Sequence, residues 1–281
     1  MHINDLPTPA VVIDIAALRK NIATMADVHP GKRLRPHIKA HKCSGLAAEQ
    51  EGAGHSSFTC ATPREVLGMI HAGVGNDFLL ANEVLDPRRL EALASAQDQA
   101  LITLAIDSEE TLDAAERAGI QNIMIDVNVG LPRCGCDPSI AGRLADSARV
   151  RGMTVRGVMG YEGHLMMVND REEKKKNVRD AMSILALAHE DVGGDIISAG
   201  GTGTYDMFAG TTVNEVQAGS YTLMDTQYAQ LGIPFVQAMW VVGTVISSNN
   251  KWSVIDVGLK SLGMDHGNPS IDQHSVWFCS D

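Results

Sequence analysis

Apolar residues in this chain fall in short runs separated by longer amphipathic stretches, and the alternation recurs over most of its length. Residues 9–14 form a β-branched run bounded by prolines, which predicts a strand. Asp14 then stands as N-cap of a helix through Leu18, Ile22 and Met25 that ends before Pro30. From Leu34 onward the spacing predicts eight strands, at 34–42, 57–61, 77–81, 101–106, 123–129, 155–161, 196–199 and 215–218. Helices are predicted over 44–51, 63–71, 86–96, 108–119, 138–149 and 170–188. The second of these helices opens on Thr62, Pro63 and Glu65, the arrangement of a capping box with proline at N1. Strands separated by single helices imply parallel pairing through right-handed crossovers. Eight such units predict a (β/α)₈ TIM-like barrel. A doubly wound sheet is the alternative; the barrel is favoured because candidate functional residues follow many different strands.

After Gly232 the helical period disappears. Runs at 239–247 and 251–257, joined by Ser248-Asn249-Asn250, and a third at 276–279 read as strands. The expected organisation is therefore a barrel over 1–236 and the start of a C-terminal β domain over 237–281, with the strand near 9–14 free to pair with it. The strand pattern is still running at Asp281, and so few strands make a thin domain with open edges. The β domain is expected to be incomplete, with the chain continuing in the native gene.

The net charge of −11 argues against nucleic acid as a partner. No apolar run approaches a membrane span, and residues 1–5 lack the basic and apolar regions of a signal peptide. Five cysteines (Cys43, Cys60, Cys134, Cys136, Cys279) form no paired framework and suit reduced thiols in a cytoplasm. Cys134-x-Cys136 is too tight for the usual zinc spacings.

Two stretches carry chemistry. In Arg35-Pro36-His37-Ile38-Lys39-Ala40-His41-Lys42, strand alternation sets His37, Lys39 and His41 on one face. Desolvation and neighbouring positive charge lower a lysine's pKa, as a Schiff-base lysine requires. By itself the octapeptide reads more readily as a basic, solvated turn. In Ala199-Gly200-Gly201-Thr202-Gly203-Thr204-Tyr205, interleaved glycines and threonines expose backbone N–H groups and hydroxyls suited to an anion. No GxxxxGK[ST] or GxGxxG pattern is present, so a nucleotide is not indicated. The loop follows the seventh predicted strand and Ala218-Gly219-Ser220-Tyr221 follows the eighth, where barrels of this type commonly bind phosphate. A reactive lysine together with a monophosphate nest points to pyridoxal 5'-phosphate.

These motifs, with Asp5-Leu6-Pro7-Thr8-Pro9, Arg133-Cys134-Gly135, Gln217-Ala218-Gly219-Ser220-Tyr221 and Met224-Asp225-Thr226-Gln227-Tyr228, occur in order along nearly the whole chain. In them the chain resembles the fold-type III pyridoxal-phosphate enzymes with an alanine-racemase-like N-terminal barrel, and within these the D-threonine aldolase and D-serine dehydratase group. The resemblance implies that Lys39 carries the Schiff base. It implies phosphate contacts from Thr202, Gly219, Ser220 and Tyr228, within a cofactor loop that includes Gly201 and Gly203. Gln217 stands where alanine racemases have an arginine near the pyridine nitrogen, and Tyr161 is expected to line the pocket. Arg133 is expected either to bind a substrate carboxylate or the cofactor's phenolate side, or to be a surface ion-pair partner.

The chain departs from the group at Ala61, where relatives often carry glutamine, and at Gly160-Tyr161-Glu162-Gly163-His164. Glu162 and His164 are open to reading as an acid or base, or as solvated loop residues. The group's downstream His-x-Asp or His-x-Cys metal pair has no counterpart at His266 or His274, so no metal ligand is assigned within the chain. A divalent metal is expected with ligands beyond Asp281. The implied activity is that of a lyase acting on a D-3-hydroxy amino acid, by retro-aldol cleavage or by dehydration, in a homodimer. An amino-acid racemase is the alternative within the group. A non-catalytic cofactor carrier and a cofactor-free phosphate-binding isomerase are alternatives of other classes.

Overall fold

The computed structural model describes residues 2–263, 268–271 and 274–275. Seven parallel strands, β2 (Ser57–Cys60), β3 (Asp77–Leu80), β4 (Leu101–Ile106), β5 (Asn122–Asp126), β6 (Thr154–Gly160), β7 (Ile196–Ala199) and β8 (Glu215–Val216), lie side by side in sequence order. Residues 34–37 close the ring. Arg35 and His37 donate backbone N–H groups to the Val216 and Ala218 carbonyls at 2.9 and 3.0 Å, and Thr59 N–H donates to the Pro36 carbonyl at 2.9 Å. The eight-stave barrel predicted from the alternation is therefore present. Its first stave is reduced to bridges, because Pro36 has no N–H to give to a ladder.

Helices α1 (Ile15–Val28), α2 (Ser44–Gly52), α3 (Pro63–His71), α4 (Pro87–Ala94), α5 (Glu109–Ala118), α6 (Ala141–Val150) and α7 (Arg171–Val192) surround the strands. Asp14 caps α1 by accepting from Ala16 N and Ala17 N. Thr62 caps α3 by accepting from Glu65 N, but the Glu65 carboxylate reaches past the cap to Ala61 N at 2.7 Å. Most of the apolar core lies between strands and helices. Inside the barrel, Leu79, Ala105, Met124 and Met159 fill a smaller layer. Toward the starts of the strands the interior is polar. Arg35, 2% exposed, is paired with Asp77 and Glu215, and Arg156 joins Asp77 to the Thr103 hydroxyl.

The expected pairing of the N-terminal strand is present: β1 (Ala10–Ile13) runs antiparallel to β9 (Met239–Val242). The single run expected at 239–247 is two strands. Gly243 and Thr244 interrupt it, Thr244 N–H donating to the Asp256 carboxylate, and β10 (Val245–Ser248) then pairs with β11 (Ser253–Ile255). A short pair, β12 (Ser270–Ile271) with β13 (His274–Ser275), follows. The strand expected at 276–279, with Cys279, lies outside the described residues, as does His266.

Candidate active site

The strand ladder of the first stave stops at His37. The next residues, Ile38–Ala40, form a single 3-10 turn whose start is capped by His37 Nδ1, which accepts from Lys39 N at 3.4 Å. Lys39 therefore does not share a strand face with both histidines, as alternation predicted. His41 turns away from it: its ring bonds Cys43 N and, at 3.2 Å, the Gln50 side chain, which in turn donates to the buried Tyr221 hydroxyl. The turn leaves Lys39 at the C-terminal mouth of the barrel, 5.4 Å from the centre of the Tyr161 ring. Arg133 approaches the same ring, at 5.5 Å. Neither cation has a carboxylate within ion-pair distance among the described residues. Desolvation and then the Arg133 charge lower the Lys39 pKa, against a smaller opposing pull from Glu65. Burial and the Lys39 charge hold His37 well below its ordinary value, so it stays a neutral acceptor.

Lys39, Arg133, Tyr161, Gly201, Thr202, Gln217, Gly219, Ser220 and Tyr228 line one cleft with about 590 Å³ of empty space. Of the residues singled out in the sequence, Gly203 stands off this lining: a Cβ there would lie 2.5 Å from the Met166 carbonyl, so it permits close packing behind the loop. The loops after β7 and β8 are tied together where Tyr221 N–H donates to the Thr202 hydroxyl oxygen at 2.9 Å. Gly219 allows the second loop to touch the lysine segment, because a Cβ would fall 2.3 Å from the His37 carbonyl oxygen. Tyr228 hydrogen-bonds Ser220 and is pushed up by burial. At the opposite wall, Gln217 donates from its amide nitrogen to Ser198 Oγ at 2.9 Å, and Ser198 donates to Glu215 at 2.7 Å. The Gln217 amide is thereby fixed from behind by the same ion network that fills the barrel.

Glu162 is neither solvated nor open to the cleft. It is fully buried, accepts from Gly200 N at 3.2 Å and from Thr204 Oγ1 at 2.6 Å, and its pKa is raised by burial. It braces the glycine loop against β6. His164 is exposed and packs on Gly130. The wider groove beside α3 and α4, lined by Lys42, Arg64, Arg88 and Arg89, holds none of the predicted site residues. Beside Arg133, burial and then the neighbouring Glu83 carboxyl raise Asp126 well above its usual range. Sequence reasoning missed it, along with Arg35, Ser198 and Lys174. Their signal was a charged or polar residue inside or against an apolar run, but partners 8 to 180 positions away cannot be assigned without the tertiary fold.

The cleft's donors suit a phosphorylated aldehyde: an amine of lowered pKa at one end, and backbone N–H groups with hydroxyls at the other. The fold and site together are those of an alanine-racemase-like barrel. The family described as "Alanine racemase, N-terminal domain" matches residues 13–227, and the chain belongs to it. A D-threonine aldolase from Arthrobacter sp. is 33% identical over 94% of this chain and 75% of that protein. Among solved structures, the D-threonine aldolase from Filomicrobium marinum superposes with a TM-score of 0.88 at 32% identity, over 94% of this chain and 76% of that one. The D-threo-3-hydroxyaspartate dehydratase from Delftia sp. HT23 superposes with a TM-score of 0.83 at 26% identity, over 93% and 74%.

Proposed function

We propose that this protein is a pyridoxal-phosphate-dependent lyase that cleaves a D-3-hydroxy amino acid by a retro-aldol reaction, with dehydration as its variant. The carrying observation is that Lys39 and the two anion-binding loops converge on one cleft, in a chain 33% identical to a D-threonine aldolase over 94% of its length. In the aldol reaction the Cα–Cβ bond breaks, the 3-hydroxyl gives up its proton as its carbon becomes an aldehyde, and Cα gains a proton, leaving glycine.

The fit to the cofactor is read from this chain's own donors. Lys39 is the amine that would hold the cofactor's aldehyde carbon, and its lowered pKa favours a neutral nitrogen able to take up or pass a proton. Thr202, Gly219, Ser220 and Tyr228, which line the cleft with Gly201, would hold the phosphate. Tyr161 and Arg133 form the wall beside Lys39, and Arg133 is the cation available to a substrate carboxylate. Gln217, neutral and anchored by Ser198, would stand toward the cofactor's ring nitrogen where the resemblance has an arginine. Bound there, pyridoxal phosphate supplies the sink for the electron pair of the broken bond.

A divalent metal belongs to this reading through the resemblance alone. Among the described residues no three His, Cys, Asp or Glu side chains group as ligands, so no step is assigned to a metal. Four free thiols, Cys43, Cys60, Cys134 and Cys136, suit a reducing cytoplasm. No helix among the described residues is long and apolar enough to cross a membrane. A homodimer is proposed, and sedimentation as a monomer at working concentration would count against it. The activity test is incubation with cofactor, divalent metal and, separately, D-threonine, D-serine and D-alanine. Glycine with acetaldehyde supports the aldolase, pyruvate from D-serine the dehydratase, and L-alanine the racemase.

A further inference from the structure

Behind the glycine loop lies a charge that the site described so far does not use. Lys174 is 4% exposed and donates from Nζ to the Met166 carbonyl at 2.9 Å and to the Gly203 carbonyl at 3.3 Å. Both partners are neutral, and no carboxylate forms an ion pair with it among the described residues. Asp206, whose charge acts on it from beyond ion-pair distance, is paired through Oδ2 with Arg171 at 2.5 Å and leaves Oδ1 without a hydrogen-bond partner. Glu162, the other buried ionisable group against this loop, bonds Gly200 and Thr204 and is pushed toward its neutral form. Lys174 also sits in the first turn of α7, where the helix dipole disfavours a cation. A buried ammonium at the positive end of a helix, without a counter-ion, is costly three times over. Burial accordingly lowers its pKa.

An anion held on the other side of the 200–204 loop would offset that cost. We propose that Lys174 is a positioning residue whose buried charge strengthens phosphate binding through the glycine loop without touching the phosphate. The proposal rests on the cofactor reading above. The alternative role is purely mechanical: Lys174 ties two carbonyls together and would brace the loop equally well with the cleft empty. A charge effect distinguishes ligands with and without phosphate, whereas bracing does not.

The test is equilibrium titration of apoprotein with pyridoxal phosphate, with pyridoxal, which lacks the phosphate, and with inorganic phosphate as competitor. The proteins are wild type, Lys174→Met, and Lys174→Gln, which keeps a neutral donor if the methionine variant fails to fold. Both variants should bind pyridoxal phosphate and inorganic phosphate about tenfold more weakly, the scale of losing one nearby charge in a partly desolvated site. Pyridoxal affinity should stay within about twofold of wild type on the same argument. Equal losses for pyridoxal and pyridoxal phosphate, or no loss for either, would overturn the proposal. If wild type binds inorganic phosphate in a Lys174-dependent way yet forms no lysine-linked cofactor, the charge role stands and the cofactor reading falls. If wild type binds neither, both fall.

Discussion

The two ends of this barrel treat charge in opposite ways. Near the strand starts, Arg35, Asp77, Arg156 and Glu215 form a closed set in which every formal charge meets an opposite one at 2.7–3.0 Å. At the strand ends, Lys39 and Arg133 face the same aromatic ring with no ion-pair partner among the described residues. The floor is satisfied without any ligand, so its charges act on stability. The mouth is left with cationic and donor capacity unspent, which is what an anionic ligand can use. A barrel can keep such a mouth because the rest of its interior does not depend on it.

The largest break in that contrast comes from Lys39. Lys39→Ala should remove the cofactor's visible-edge absorbance and lower activity by at least about 10³-fold, the scale of losing a covalent and proton-transferring group, while Lys42→Ala keeps both. A retained spectrum in Lys39→Ala would sink the assignment. Next is the floor. Arg35→Ala strands the buried Glu215 carboxylate, leaves Asp77 with Arg156 alone, and should cost about 3–5 kcal/mol in denaturant unfolding. Arg133→Ala should stay within about 0.5 kcal/mol of wild type, because nothing is left unpaired. Equal costs would erase the distinction between the two ends.

Acid acts on the floor through Asp77. Burial alone would raise the Asp77 carboxyl, but hydrogen bonds from Arg156 and the Arg35 charge outweigh it and hold the pKa at about 2. A carboxylate lowered in the folded state stabilises fully above its unfolded value, near 3.8, and loses that contribution as pH falls toward about 2. A drop from 3.8 to about 2 corresponds to about 2 kcal/mol. The pH dependence of unfolding free energy between about 4 and 2 should flatten in Asp77→Asn relative to wild type. The smallest effect is at the ring shared by the two cations. Tyr161→Leu removes both cation–π contacts and should weaken cofactor binding by about fivefold, with Tyr161→Phe close to wild type.

The contrast also explains what the sequence could and could not disclose. Helices α1, α3 and α5 begin where Asp14, Thr62 and Ser108 announce them, since an N-cap is a local hydrogen bond between residues two or three apart. The glycine loop and the Gly219-Ser220 turn were legible for the same reason. Lys39 was placed on the wrong element: alternation holds only while the ladder continues, and the ladder ends at His37. Glu162 read as a loop residue because its partners, Gly200 and Thr204, are 38 and 42 positions away. The ion set of the floor was invisible to periodicity, which marks a face as buried without saying which charges meet on it. Gln217 was legible as a departure from an arginine, but its anchorage through Ser198 and Glu215 was not.

The central claim is that the mouth of this barrel holds pyridoxal phosphate through Lys39. The most direct measurement is borohydride reduction of the cofactor-loaded protein followed by peptide mass mapping. The account predicts the mass of one reduced cofactor on the peptide that contains Lys39, with the modification localised to that residue and not to Lys42. Label on Lys42, on Lys174 or on no lysine at all would contradict it.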